Sequence, residues 1–273
     1  MKVLISGANG HIGRALARFI KNSETISLRT NSEIGDYEKL NNCNVFIHCG
    51  GLINGNFSQL FASNTVLLQK ILDYLSIFNP NAHIIFLSTG SLLANKVQVS
   101  SDDYLETNKM TDYALSKYIA ELILERYNLS FTSLRFSTIF YKDPERDGLS
   151  KFIFDAMKYK EITLFNSGNA MRDFIPLEIV VKYIFKIMGN SKFFKRKLNI
   201  VSGSPLSFRE IGEFLMTKID GLEVKNRKVE PIKQVPYDFS IDDILEIGRI
   251  DFDIFKFIED YLFGRDSWMP SDY

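Results

Sequence analysis

The chain has 273 residues, with 33 lysines and arginines against 33 aspartates and glutamates, so its formal charge is zero, and 45% of its positions are hydrophobic. That apolar content can bury a large core, which excludes intrinsic disorder and fibrous repeats and leaves one large domain or two small ones. Balanced charge withholds the broad basic field that nucleic acid or an anionic membrane attracts. The two cysteines, Cys43 and Cys49, provide neither a disulfide framework nor a zinc site, so no metal, nucleic-acid or membrane partner is expected, and a reducing, cytoplasmic setting is.

The first run, residues 2–6, is a short apolar β-strand ended by Gly7, too brief for the core of a signal peptide. Gly7, Gly10 and Gly13 then form G-x-x-G-x-x-G around His11 and Ile12, at the mouth of a helix predicted over 12–22. The first glycine permits a tight turn, the second admits a pyrophosphate to the backbone N–H groups, and the third lets helix and strand pack closely. This is a dinucleotide-binding turn, in which His11 caps or faces solvent. A second strand over 25–30 ends Leu28-Arg29-Thr30-Asn31-Ser32. An acidic residue there would bind a ribose 2′-hydroxyl, whereas a 2′-phosphate requires a cation, so Arg29 with Thr30 and Ser32 favours NADP, with NAD as the alternative.

The strand over 44–49 ends in Cys49-Gly50-Gly51, two glycines that let the backbone pass close to a cofactor, and its His48 reads as a core residue. A helix over 64–78 follows. Strand 83–88 is continuously apolar, as suits burial on both faces of a parallel sheet, and runs into the hydroxyl cluster Ser88-Thr89-Gly90-Ser91. Ligands gather at that carboxyl edge in open α/β sheets. The helix predicted over 112–127 carries Tyr113 and Lys117 at i and i+4, on one face. A cation beside a phenol stabilises phenolate and brings the group toward working pH as a proton donor and acceptor.

A further strand over 131–136 completes an alternation that predicts an α/β fold, a Rossmann-type doubly wound parallel sheet over residues 1–140. Residues 141–273 read as a smaller, mixed, mainly substrate-binding portion able to return elements to the main sheet. The stretch 175–188 is interrupted by Pro176, Glu178, Lys182 and Lys186 and cannot supply the roughly 20 apolar residues of a spanning helix.

Taken with Asn64 and Arg172-Asp173-Phe174-Ile175, these motifs resemble the extended short-chain dehydrogenase/reductase family, in its nucleotide-sugar epimerase/dehydratase/reductase branch. The resemblance covers nearly the whole chain. It implies Tyr113 as catalytic acid/base, Lys117 as the residue that binds the nicotinamide ribose and lowers the pKa of the phenol, and Thr89 as the hydroxyl that orients the substrate carbonyl, with Gly90 and Ser91 beside it. Cys49, Gly50, Gly51, Asn64 and Ser88 join the glycine turn as cofactor-binding positions. Arg172 implies diphosphate binding, and Arg227 more weakly, because its surroundings depart from the family's R-x-G-D. Dehydratases of the family carry an Asp-Glu pair after the catalytic threonine; Gly90-Ser91 stands here, which argues against dehydration. The expected activity is NADPH-dependent reduction of a nucleotide-diphospho 4-keto-6-deoxysugar. The alternatives are an NAD-retaining nucleotide-sugar 4-epimerase and a non-catalytic NAD(P)-sensing protein. A homodimer through the 64–78 and 112–127 helices is also implied.

Overall fold

The computed structural model describes residues 1–93, 98–230 and 237–265. Strand β1 (Val3–Ser6) leads through the glycine turn into α1 (His11–Phe19), β2 (Glu24–Ile26) and β3 (Val45–His48). The next helix starts earlier than its periodicity predicts: Asn56 caps α2 (Phe57–Phe61) by accepting from the Gln59 N–H, and a π-helical stretch, Ala62–Val66, joins α2 to α3 (Leu67–Phe78). Then come β4 (His83–Leu87), α4 (Asp112–Arg126), β5 (Ser130–Phe136) and β6 (Thr138–Phe140). The later portion holds α5 (Gly148–Tyr159), β7 (Glu161–Phe165), β8 (Met171–Arg172), β9 (Phe174–Pro176), α6 (Leu177–Ile187), β10 (Arg196–Ile200), β11 (Leu206–Ser207), α7 (Phe208–Lys218), β12 (Glu223–Arg227), α8 (Asp242–Ile247) and α9 (Ile254–Leu262).

Six parallel strands form the main sheet in the order β10-β5-β4-β3-β1-β2. Its inner strands are buried along their whole length, and alternate residues point to opposite faces. Ile5, Ile47 and Ile85 pack on one face with Leu16 of α1 and Ile184 of α6, while Leu4, Phe46, Ile84 and Phe86 pack on the other with Leu68 of α3 and Leu124 of α4. A third cluster, including Phe140, Ile153, Ile162, Leu215 and Ile258, is the core of the later portion. Strand β10, from that portion, pairs with β5 at the edge of the main sheet. The order reverses at β1, so the carboxyl ends of β1 and β3 flank a topological switch point, where such sheets place ligands.

Two histidines lie inside the sheet. His83 accepts from the Gly189 N–H at Nδ1 (3.0 Å) and contacts the Thr132 hydroxyl at Nε2 (2.8 Å), while His48 Nδ1 meets the Ser6 hydroxyl at 2.7 Å. Burial holds His83 down to about 4 and His48 down to about 3, the Lys117 ammonium adding to the effect on His48. Both are therefore neutral in the folded chain, and their stabilisation is complete above the ordinary histidine value of about 6.5 and is lost as pH falls from there toward 4. Urea unfolding between pH 6 and pH 5 should show each contributing a slope of about 1.4 kcal/mol per pH unit, and His83→Gln should remove one such contribution.

Candidate active site

The turn after β1 is defined by close backbone approach. Gly7 sits at φ +70°, and a Cβ there would lie 2.6 Å from the Gly50 nitrogen; a Cβ on Gly13 would lie 2.3 Å from the Gly7 carbonyl oxygen. Only glycine fits either position. Gly10 caps α1 without a side-chain hydrogen bond and no acidic residue occupies the first turn, so the helix N-terminus presents open N–H groups and its positive dipole end to an anion.

Two cavities flank this turn and share Gly7 and Gly51 in their walls. One, of about 190 Å³, is lined by Ala8, Asn9, Thr25, Ser27, Leu28, His48 and Gly50. The other, of about 220 Å³, is lined by the remaining turn residues Gly10, His11, Ile12 and Gly13 together with Cys49, Ser88, Thr89, Tyr113 and Lys117. A bent dinucleotide fits this arrangement: one half on each side of a turn that carries no side chain, with its diphosphate at the helix N-terminus.

In the second cavity Tyr113, Lys117 and Thr89 converge from α4 and the end of β4. Burial, with a contribution from Tyr141, pushes the Tyr113 phenol up to about 12, against the pull of the Arg146 guanidinium and a hydrogen bond with Thr89. Lys117 is 5% exposed, donates to the Leu87 carbonyl at 2.9 Å and lies 4.8 Å from the centre of the Phe86 ring. Burial brings it down to about 8, while Cys49 and Glu121 favour its charged form. The Arg146 guanidinium is thus a cation that favours ionisation of the phenol, in the same cavity as Lys117. Neither Arg146 nor Tyr141, which follows β6, was found from the sequence, because both lie on an irregular loop with no periodic pattern.

Other expected positions are placed differently. Strand β2 ends at Ile26 instead of residue 30, and the chain turns away: the Ser32 N–H donates to the Arg29 carbonyl and the Arg29 N–H to the Ser32 hydroxyl. Arg29 is exposed, Lys70 donates to the Thr30 carbonyl, and neither residue 29 nor 30 lines the ribose-side cavity. Asn64, fully buried in the π-helical stretch, lines neither cavity; its amide donates to the Leu52 carbonyl and the Ser116 hydroxyl (2.9 Å each) and accepts from the Leu52 N–H (2.8 Å). It pins the loop after β3 to α4. His11 is a half-buried partner of Asp143, at 3.1 Å.

Thr89 donates to the Ser91 hydroxyl (3.1 Å), and a Cβ on Gly90 would lie 2.8 Å from the Phe136 carbonyl oxygen, so position 90 has no room for a carboxylate. The Ser88 hydroxyl is buried and has no hydrogen-bond partner among the described residues. Burial pushes the Cys49 thiol up to about 12. Arg172 lines a third cavity, of about 760 Å³, with residues of α5 and β7; burial lowers its guanidinium, which donates to the Met171 carbonyl. Arg227 is exposed on β12, opposite Phe165 of that cavity's wall, and does not line it.

A doubly wound parallel sheet, a side-chain-free turn at its switch point and a tyrosine, lysine and threonine in one crevice define a Rossmann-type oxidoreductase of the extended short-chain dehydrogenase/reductase class. Residues 3–200 match the sequence model of the NAD dependent epimerase/dehydratase family. The chain belongs to that family, whose members are NAD(P)-dependent oxidoreductase-type enzymes. A putative UDP-glucose 4-epimerase of Methanocaldococcus jannaschii is 26% identical over 146 residues, 50% of this chain and 47% of its own; the chain thus matches about half the length of that relative. In fold it is similar to MoeE5, solved with UDP-glucose and NAD, at 18% identity and a TM-score of 0.81 over 98% of this chain and 100% of the other. The UDP-glucose 4-epimerase of Thermotoga maritima, solved with UDP-glucose, gives 17% identity and a TM-score of 0.81, with the same coverage. Among the described residues, no helix is long and apolar enough to cross a membrane.

Asn64→Leu should leave the Leu52 N–H and the Ser116 hydroxyl short of partners, at a cost of about 1–3 kcal/mol. Urea unfolding measures that loss, and faster hydrogen exchange at the Leu52 amide locates it.

Proposed function

We propose that the protein oxidises and re-reduces carbon 4 of a nucleotide-diphosphate sugar with NAD, inverting that carbon. The observation that carries this reading is the convergence of Tyr113, Lys117 and Thr89 beside a dinucleotide-shaped pair of cavities, with no carboxylate at positions 90 and 91. Such a set suits one proton transfer at one oxygen. Gly90 and Ser91 supply no carboxylate pair to serve as the acid and base for elimination of water.

Gly7, Gly10 and Gly13 would hold the diphosphate, Ser27 and Leu28 the adenosine side, and Cys49, Gly51 and Lys117 the nicotinamide side. When bound, the nicotinamide supplies a hydride acceptor and donor. Thr89 and Tyr113 orient the reacting oxygen, and Tyr113 takes its proton on oxidation and returns it on reduction. Burial disfavours the free phenolate, so the positive charges of Arg146 and Lys117 bear on how readily the proton moves. Residues beyond 141 form the substrate-binding portion of this reading. Arg172, whose fork-shaped cation suits a diphosphate, would anchor the nucleotide in the larger cavity. MoeE5, of similar fold, has been solved with UDP-glucose and NAD and with UDP-glucuronic acid and NAD, which agrees with this class of ligand.

NAD is preferred over NADP because Arg29 and Thr30 lie outside the cavity that would hold the adenosine ribose. A second reading, NADPH-dependent reduction of a 4-keto-6-deoxysugar, is favoured by one feature: no aspartate or glutamate lines that cavity, so a 2′-phosphate would meet no fixed negative charge. Cofactor retained by the purified protein decides between them, since bound NAD with interconversion of UDP-glucose and UDP-galactose, or of the corresponding uronates, supports epimerisation, and a protein that consumes NADPH stoichiometrically with a 4-keto sugar supports reduction. In either case Tyr113→Phe should lower turnover by about 10²–10⁴-fold while leaving the thermal midpoint within a few degrees. Near-normal turnover in a folded variant would remove Tyr113 from the reaction.

A further inference from the structure

A second phenol shares the catalytic cavity. Tyr141, just past the carboxyl end of β6, lines the same cavity of about 220 Å³ as Tyr113, and the two rings are close enough that ionisation of Tyr141 disfavours that of Tyr113. Its backbone is fixed: the Tyr141 N–H donates to the Asp147 carboxylate at 3.0 Å, and Asp147 also accepts from the Ser150 N–H at 2.7 Å, as the N-cap of α5. The Arg146 guanidinium lies 5.3 Å from the centre of the Tyr141 ring and hydrogen-bonds its side chain. Burial raises this phenol, and both the charge and the hydrogen bond of Arg146 draw it back.

The other titratable groups of the cavity are committed. Lys117 donates to the Leu87 carbonyl, His11 pairs with Asp143, and the Cys49 thiol is held protonated by burial. Proton transfer at the reacting oxygen needs Tyr113 alone. Tyr141, with a counter-charge beside it and a wall of the reaction space to itself, is left without a part in that step.

We propose that Tyr141, supported by Arg146, is a second proton-transfer residue that removes and returns a proton at the ring carbon next to the substrate carbonyl. The proposal rests on the reading of the site as a sugar oxidoreductase and extends its chemistry from oxygen to carbon. Tyr141 first gives its hydroxyl proton to solvent. Its phenolate then takes the proton of the carbon adjacent to the ketone; the C–H electron pair becomes the C=C bond of an enol, and the carbonyl π pair moves to oxygen, which takes the Tyr113 proton. While the enol persists the Tyr141 hydroxyl exchanges that proton with solvent, and reversal then returns a solvent-derived proton to carbon. The substrate class this implies is a keto sugar nucleotide with an acidic C–H beside the carbonyl, and the outcome is hydrogen exchange at that carbon.

The test uses the full chain with UDP-4-keto-6-deoxyglucose as probe. With NAD⁺ in D₂O, carbon-bound deuterium is followed by NMR; with NADH, and separately NADPH, ketone reduction is followed by absorbance. The wild type should deuterate the carbon beside the ketone faster than buffer alone, and Tyr141→Phe should lower that rate by about 10²–10⁴-fold, a larger drop than in reduction. Arg146→Ala, which keeps both phenols, should shift the rise of deuterium uptake to higher pH, and it carries the test should Tyr141→Phe fail to fold. Reduction without deuterium uptake by the wild type would overturn the proposal and leave the sugar-oxidoreductase reading standing, as would unchanged uptake in folded Tyr141→Phe or an unshifted profile in Arg146→Ala. Absence of both reduction and uptake with every cofactor would overturn that reading and the proposal with it.

Discussion

Three backbone segments meet at the switch point of the sheet more closely than any side chain would permit. With a Cβ at Gly7 only 2.6 Å from the Gly50 nitrogen and one at Gly13 only 2.3 Å from the Gly7 carbonyl, the ends of β1 and β3 and the start of α1 can be brought together only by glycine. Everything at the crevice follows from that approach. The uncapped N-terminus of α1 points its N–H groups into the space between the two cavities, and the Cys49–Gly51 segment becomes a wall of both sides instead of a plug. Gly51 makes a similar point on the far side, where φ is +156° and a Cβ would lie 2.6 Å from the buried Asn64 Oδ1 and 3.2 Å from the Lys117 amine.

Helix α4 must then be held against this edge, although it carries a cation into the interior. A buried ion pair one turn beyond Lys117 does so: Glu121, 1% exposed, accepts from Arg135 of β5 at 3.0 and 2.6 Å and from the Ser133 hydroxyl at 2.8 Å, and Arg135 also donates to the Ser101 carbonyl at 2.8 Å. Such a pair gains little over an apolar replacement, but removing one partner strands a buried charge at a cost of about 3–5 kcal/mol, so it fixes register more than it adds stability. On the opposite side of α4, Ser116 is bonded through its hydroxyl to Asn64 and through its carbonyl to Thr65. Both partners lie in the π-helical stretch between α2 and α3, a wider turn that brings consecutive polar side chains onto the same neighbouring helix. Lys117 thereby sits between two rigid contacts, and its ammonium is aimed by the strand end at Leu87.

How much of this was legible depends on the physical signal each part carries. Strands such as His83–Leu87 were read to within a residue, because a strand buried on both faces must be continuously apolar, and α4 was read because its apolar face repeats with the helical period. The glycine turn was legible for a steric reason, since glycine is what close approach demands. By contrast, β2 ends four residues before its composition predicts: residues 27–30 keep strand-like composition, but an Arg29–Ser32 turn takes over, and Arg29 lies outside the lining of the adjacent cavity. The early start of α2 follows from the Asn56–Gln59 capping box, a local signal available in the sequence and overlooked. Nothing in local sequence could have placed Tyr141 and Arg146, because they reach the site by tertiary geometry, through a loop that follows β6, paired with β9 in a separate two-stranded sheet, and approaches the glycine turn at His11.

That loop also connects the two halves of the proposed ligand space. Tyr141 and Arg146 line the catalytic cavity, and Gly148 and Lys151, a few residues on, line the larger cavity that contains Arg172. Its first residues are anchored by the Asp143–His11 pair to the glycine turn and by the Lys142–Glu178 pair, at 2.8 Å, to α6. In a site where burial already drives both phenols toward their neutral forms, displacing one guanidinium changes the proton affinity of both at once.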